Sequence, residues 1–228
     1  MNIKQIYNFA KETLYPINRS LTGKGTETTL KLIKNYFPDL KIKKFKCNTK
    51  VFDWKIPNEW NIYDAYIKDK FGNKIVDFKK NNLHVIGYSI PINKTVNKVR
   101  LLKNLYSIEK MPNAIPYITS YYKKRWGFCI THNQKKKIKK TFNEKDKFQI
   151  LIKSKFNKSG NMNYGELIIK GKSNKEILVS TYICHPSMAN NELSGPIVSM
   201  SLINYFKKKK LDKTIRFIFI PETIGSIA

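Results

Sequence analysis

The stretch from 176 to 222 constrains the fold more than any other part of the chain. Glu176-Ile177-Leu178-Val179-Ser180-Thr181-Tyr182-Ile183 reads as a buried strand, and Thr214–Ile220 reads as a second. A loop, Cys184–Leu193, separates the first strand from a helix that begins with Ser194 as N-cap and carries Pro196 in its first turn. Ile197, Val198, Leu202, Ile203 and Phe206 are its candidate buried positions, and Lys207–Lys210 suit the negative end of its dipole. Strand, helix and strand in this order form a βαβ unit, with parallel strands and a right-handed crossover. Both strands therefore finish at one edge of the sheet. His185 lies just beyond the first and Glu222 just beyond the second, so both reach the rim where open α/β sheets bind ligands.

The rest of the chain divides by its patterning. Ile3, Ile6, Tyr7, Ala10 and Leu14 fall at helical spacing over 3–15, and Pro16 stops that helix. Residues 20–26 form a loop that leads into a second helix through Leu30, Ile33 and Phe37. The Gly23-Lys24-Gly25-Thr26 string reads as a helix-entry loop in preference to a phosphate loop, because Asn18 stands where that motif needs its first glycine. From about Val51 to Gly171 the segments are short, β-branched or aromatic, with turn signals at Phe71-Gly72-Asn73 and at 157–161. One helix, near Val96–Tyr106, interrupts them. The expected organisation is residues 1–50 as N-terminal helices and a first strand of an α/β core, 51–171 as an inserted β-rich subdomain, and 172–228 as the first βαβ part of the core.

Composition narrows the class without naming a function. Of the 228 residues, 41% are apolar, which fits a globular protein, and the three cysteines stand far apart, outside any disulfide framework or zinc-finger spacing. Neither a signal peptide nor an 18-residue apolar span is present, so a cytoplasmic protein without membrane partners is expected. The net charge of +28 suits a polyanion partner, yet the lysines are spread through nearly every segment of a Lys-, Asn- and Ile-rich chain. Nucleic acid is thus a conceivable partner that the charge distribution does not favour. Tyr121-Tyr122-Lys123-Lys124-Arg125-Trp126 interleaves base and aromatic; it suits a polysaccharide or nucleic-acid surface, or lysines that snorkel over a core. A non-catalytic polyanion-binding module or scaffold therefore stands as the alternative to an enzyme. Oligomeric state is not readable from the sequence.

An imidazole and carboxylates gathered at one sheet edge suit a metal site. Zinc accepts histidine nitrogen and carboxylate oxygen, and an ionised glutamate can act as base for its water. His185 alone is more often a structural group, and Glu222 alone is usually a solvated side chain; their shared rim, with Asn190-Asn191-Glu192 between them, is the stronger signal. Cys184 beside His185 is not expected to form a nucleophilic pair, since neighbours on an extended segment face opposite ways. Ser194 lacks a nucleophile elbow, and His84 and His132 have no companions at ligand spacing.

The order strand, His185, loop, Asn191-Glu192-Leu193-Ser194-Gly195, helix, strand, Glu222 resembles the first half of the co-catalytic zinc aminopeptidases. Cys184-His185-Pro186-Ser187, the Asn191–Pro196 run and Pro221–Ser226 are similar to a bacterial family of aminopeptidase-like proteins of unknown function. Strings such as Trp54–Trp60, Leu83–Ser89, Ile115–Tyr122 and Arg125–Cys129 extend that similarity over nearly the whole chain. Members of that family are often encoded among surface-polysaccharide genes. The resemblance implies an α/β, zinc-aminopeptidase-like (phosphorylase/hydrolase-like) core, incomplete in this chain, with the β-rich subdomain inserted. It also implies zinc as cofactor and a small peptide-like or amide substrate.

Carried over by position, His185 matches a metal ligand of the aminopeptidases. The bridging Asp position holds Asn191, so either Glu192 beside it substitutes or a single metal binds. Glu222 matches the general base of a Glu-Glu pair while Thr223 occupies the second Glu position, which leaves Glu222 open as base or ligand. The further ligands of the family would lie downstream of Ala228. The expectation is thus a fragment that binds zinc weakly and hydrolyses nothing.

Overall fold

Buried residues at i, i+3, i+4 and i+7, apolar and small polar side chains together, mark the inner faces of the helices that cover the first sheet. The computed structural model describes residues 3–228. In chain order, α1 (Ile3–Asn8) continues into a π-helical turn (Phe9–Leu14), followed by α2 (Lys24–Tyr36), strand β1 (Lys41–Lys46) and a small hairpin of β2 (Lys50–Val51) and β3 (Trp54–Lys55). Next come β4 (Glu59–Lys68), β5 (Lys74–Asp77), β6 (Ile92–Asn97), α3 (Lys98–Lys103), β7 (Leu105–Tyr106), β8 (Phe128–Cys129), α4 (His132–Thr141) and β9 (Lys147–Asn157). The chain ends with β10 (Asn161–Ile169), β11 (Ser173–Tyr182), a second π turn (Ala189–Leu193), α5 (Ser194–Phe206), β12 (Lys213–Ile220) and α6 (Ile224–Ile227).

Two compact units result: residues up to Glu59 together with 157–228, and Trp60–Phe156. The first unit is built on a mixed sheet in the order β1-β10-β12-β11. β1 and β12 each run antiparallel to β10, and β11 runs parallel to β12 with Tyr182 opposite Ile220. The expected parallel βαβ pair is therefore present, at one edge of a sheet whose other half is antiparallel. Buried Thr26, Thr29, Leu30 and Ile33 of α2 and Pro196, Ser199, Met200 and Ile203 of α5 are spaced to face one side. Leu30, Ile33, Met200 and Ile203 join Phe217 and Phe219 of β12 and Leu14 in one apolar core. Val198, expected inside, is exposed, and Met200 takes the buried position instead. Gly195 lets α5 lie close on the sheet, for a Cβ there would sit 2.1 Å from Thr181 Oγ1.

The second unit holds a four-stranded sheet in the order β5-β4-β9-β6, with β4–β5 and β6–β9 antiparallel. The turn between β4 and β5 is the one read at 71–73; Asp69 Oδ1 accepts the Phe71 and Asn73 N–H groups. Phe128, Phe148, Ile150 and Trp126 sit in its core. Helix α4 is an element the sequence reading lacked. It starts with a capping box in which Thr131 and Gln134 each take the other's backbone N–H.

The boundaries of the second unit are narrower than the expected 51–171. β10 has the same strand-like patterning as its predecessors, but it pairs with β1 and β12 and so belongs to the first unit. Where the chain leaves the first unit and returns to it, short-range bonds join the two crossings. Glu59 Oε2 accepts the Asn161 N–H, Gly160 O accepts the Cys47 N–H, and Asn48 Nδ2 donates to Asn58 Oδ1 and to Lys158 O.

Candidate active site

Parallel pairing brings the ends of β11 and β12 together. The Ile183 N–H donates to Ile220 O at 2.9 Å, one residue past the last strand pair, and two residues later on each strand stand His185 and Glu222. His185 Nε2 lies 3.3 Å from Glu222 Oε1. Glu222 is partly exposed while His185 is only 4% exposed, so the imidazole looks out of the interior toward a carboxylate at the surface.

The other face of His185 meets Glu192. The second π turn carries Asn191 outward, where it is exposed, and Glu192 inward, where it is 1% exposed. A π turn widens the helix by one residue and is frequent at functional sites. His185 Nδ1 lies 3.0 Å from Glu192 Oε2. Because the π turn runs straight into α5, Ser194 is the first residue of that helix and not its cap. Its hydroxyl donates to Asn190 O, four residues back.

A residue absent from the sequence reading completes the cluster. Arg19, 1% exposed, places Nε 3.4 Å from Glu192 Oε1 and donates from Nη1 to Leu14 O at 2.6 Å. The segment before that loop and the first turn of α2 after it are fastened to the end of β11 and the loop that follows: Thr26 Oγ1 donates to Ile183 O, and Ser187 Oγ donates to Tyr15 O. Gly25 permits this packing, since a Cβ there would fall 1.9 Å from Asn18 O. The order is thus Arg19, Glu192, His185, Glu222, with charges alternating along a line that runs from the interior to the rim.

Electrostatics follow from that order. Burial pulls the His185 imidazolium down, but Glu192 and Glu222 together outweigh it, and His185 titrates above the ordinary histidine value. Burial lowers Arg19 from its usual value against the opposing pull of Glu192. Burial, reinforced by Glu192, raises the Cys184 thiol well above its ordinary value, so it is held protonated. Cys184 Sγ accepts the Glu222 N–H at 3.2 Å. The sulfur does lie close to the cluster: donor atoms of Cys184, His185 and Glu192 all fall within 4.8 Å of one another. The expected opposite orientation of Cys184 and His185 fails because the strand ends at Tyr182, and side-chain alternation ends with it.

A zinc ion can be tested against two places. Within the Cys184–His185–Glu192 trio it would face the Arg19 guanidinium and compete with it for Glu192, so the trio does not fit a cation. At the rim the fit is better. Two donors of one tetrahedral zinc stand about 3.4 Å apart when each bond is about 2.1 Å, and His185 Nε2 and Glu222 Oε1 are 3.3 Å apart. A carboxylate on the second ring nitrogen is also the usual companion of a metal-bound histidine.

Comparison with known proteins places the fold in a class. The fold matches that of zinc aminopeptidases. The chain superposes on a zinc aminopeptidase from Bacillus subtilis with a TM-score of 0.60 at 14% identity, covering 96% of this chain and 61% of that one. It superposes on a peptidase precursor from Shewanella amazonensis with a TM-score of 0.56 at 10% identity, covering 95% and 62%. The chain belongs to the family described as "Domain of unknown function (DUF4910)", whose model matches residues 7–228. A Clostridium acetobutylicum protein, provisionally named as a polysaccharide biosynthesis protein with an aminopeptidase-like domain, is 44% identical over 225 residues. That match covers 98% of this chain and 50% of the relative. A crystal structure from the same organism, of a protein provisionally called a peptidase, superposes with a TM-score of 0.91 at 44% identity over 99% of this chain and 51% of that one. The chain thus spans about half the length of these relatives. Among the described residues, no helix is long and apolar enough to cross a membrane.

Proposed function

We propose that this chain carries one side of a zinc-dependent, aminopeptidase-like hydrolase site, with His185 Nε2 and Glu222 as its cation donors and a small peptide-like or amide compound as substrate. The observation that carries this reading is the 3.3 Å separation of those two atoms at the shared end of two parallel strands. Zinc, when bound, supplies Lewis-acid polarisation of a carbonyl and a more acidic water. The chain's own residues orient the imidazole, bury its inner face and present a carboxylate to solvent at the rim. The aminopeptidase-like and polysaccharide-biosynthesis wording in the name of the Clostridium acetobutylicum relative supports a hydrolase acting in polysaccharide metabolism.

A catalytic zinc commonly keeps three protein ligands, whereas His185 and Glu222 are two. The 228-residue chain is therefore expected to bind zinc weakly and to show no turnover of aminoacyl anilides. Isothermal titration of zinc into this chain tests the reading. Binding heat that disappears in His185→Ala and in Glu222→Gln is the expected result. Equal heat in His185→Ala, or none in the unaltered chain at millimolar zinc, overturns it.

A further inference from the structure

Helices α3 and α4 of the second unit lie side by side and antiparallel. Lys98 Nζ, at the start of α3, donates to Lys139 O and Phe142 O at the far end of α4. Lys135 Nζ, in the first half of α4, donates to Leu105 O just past the end of α3. Leu101 and Ile138 are buried in the core beneath them. Three of the six residues of α3 and five of the ten of α4 are Lys or Arg, and neither helix holds an Asp or Glu. Lys98 and Lys135 are spent on the seam. The other six, Arg100, Lys103, Lys136, Lys137, Lys139 and Lys140, are exposed. Elsewhere lysines meet carboxylates, as Lys43 meets Glu166, Lys70 meets Asp146 and Lys207 meets Asp39. Among the described residues, none of these six has such a partner.

That arrangement disfavours the free helices. Lys136 stands three and four residues from Lys139 and Lys140, and Arg100 stands three from Lys103, spacings at which like charges repel. A helix dipole welcomes cations in the last turn, but it equally favours carboxylates in the first, and both helices lack them. We propose that this face binds an acidic polysaccharide, whose carboxylates supply the counter-charges that the helices do not. The choice of polyanion rests on the polysaccharide reading above, and the chemistry of the face agrees with it. Neither helix has an aromatic ring on which a nucleobase could stack. The two amides of α4 that could read a base edge are already bonded within the protein: Asn133 Nδ2 donates to Asn113 Oδ1, and Gln134 Oε1 accepts the Thr131 N–H. Five of the six exposed cations are lysines, rotatable point charges suited to carboxylates along a flexible polymer.

The probes are polygalacturonate, a polymer of carboxylates, and neutral dextran, titrated into the 228-residue chain with EDTA present so that no rim cation takes part. At about 20 mM NaCl the chain should bind the first and not the second, and binding should weaken steeply toward about 150 mM. Changing Lys136, Lys137, Lys139 and Lys140 together to glutamine, which keeps helix propensity, should weaken binding at least about tenfold. Arg100→Gln with Lys103→Gln, on the other helix, should weaken it about threefold or more. Glutamine at Lys208, Lys209, Lys210 and Lys213 of the first unit lowers the net charge as much as the α4 set and should cost less than about threefold. No binding by the unaltered chain, retained affinity in either folded helix variant, or an equal loss in the first-unit set overturns the proposal. Duplex DNA of about 20 base pairs, held by net charge alone, should lose affinity alike in the two four-lysine sets; a greater loss for the duplex than for polygalacturonate in the α4 set would assign the face to nucleic acid instead. Zinc titration reports on the rim separately, so its failure would remove the hydrolase reading and leave the polygalacturonate result standing.

Discussion

Replacing Arg19 by methionine isolates what the buried pair contributes. The guanidinium and the Glu192 carboxylate are both inaccessible to solvent, so the substitution leaves a carboxylate in the interior without its cation. Breaking a buried pair from one side costs about 3–5 kcal/mol. His185 remains as a second partner of Glu192 at 3.0 Å, so the lower end, about 3 kcal/mol, is expected. Arg19 also loses its bond to Leu14 O, which does not reduce the cost. Hydrogen exchange at the Phe217 and Phe219 amides of β12 reports opening of the first unit alone. A loss of about 3 kcal/mol accelerates that exchange roughly a hundredfold. Adding Glu192→Gln removes the stranded charge, and the double variant should recover about 1 kcal/mol or more, within the range found for directly coupled residues. A single variant that exchanges less than about fivefold faster, or a double variant that loses the sum of the two singles, would refute the reasoning, because the pair would then carry no coupled charge.

Two further outcomes follow from features away from the rim. Arg216 bonds both Glu166 and Glu176. Burial pushes Glu166 up, but Lys43 and Arg216 outweigh it, and the Arg216 hydrogen bond lowers Glu176, so both carboxyls sit below their ordinary values. Depressed carboxyl values mean stability that is present above about pH 4.3 and is lost as the pH falls through the folded-state values; urea midpoints measured downward from about pH 5 should fall more steeply than in Arg216→Leu, and parallel profiles would contradict this assignment. In the second unit, Thr131→Ala removes the acceptor for the Gln134 N–H and should weaken the start of α4 by about 1 kcal/mol; exchange of the first-turn amides of α4 should then quicken about fivefold, and unchanged rates would show that the capping box contributes nothing.

What the sequence disclosed and what it withheld have separate physical causes. Strand periodicity and one connecting helix sufficed to align the ends of β11 and β12, because parallel topology fixes which termini meet. His185 and Glu222 were legible for that reason. The partner sheet of β10 was not legible, since a strand's patterning reports burial and not its neighbours. Helix α4 was hidden by its lysines, although the Thr131-x-x-Gln134 spacing was a readable start signal. Glu192 and Asn191 are adjacent, and only the π turn decides which of the two faces inward. Arg19 was missed because burial of a charge has no local pattern, yet a signal existed. Only four of the 44 Lys and Arg residues are arginine: Arg19, Arg100, Arg125 and Arg216. In a chain this rich in lysine, arginine stands out where a planar, multi-donor cation is needed. Arg216 grips two carboxylates, Arg125 donates to Thr119 O and to the Ser120 hydroxyl, and Arg19 meets Glu192.

The bonds joining Cys47, Asn48 and Glu59 to Gly160, Lys158 and Asn161 have a consequence for chain length. They give the polypeptide a single doorway, through which it departs into residues 60–156 and comes back. A module hung from such a doorway behaves, for its host, as a loop whose ends are already tied. Lengthening a loop costs little beyond that tie, so residues added between 60 and 156 cost the first unit little further closure entropy.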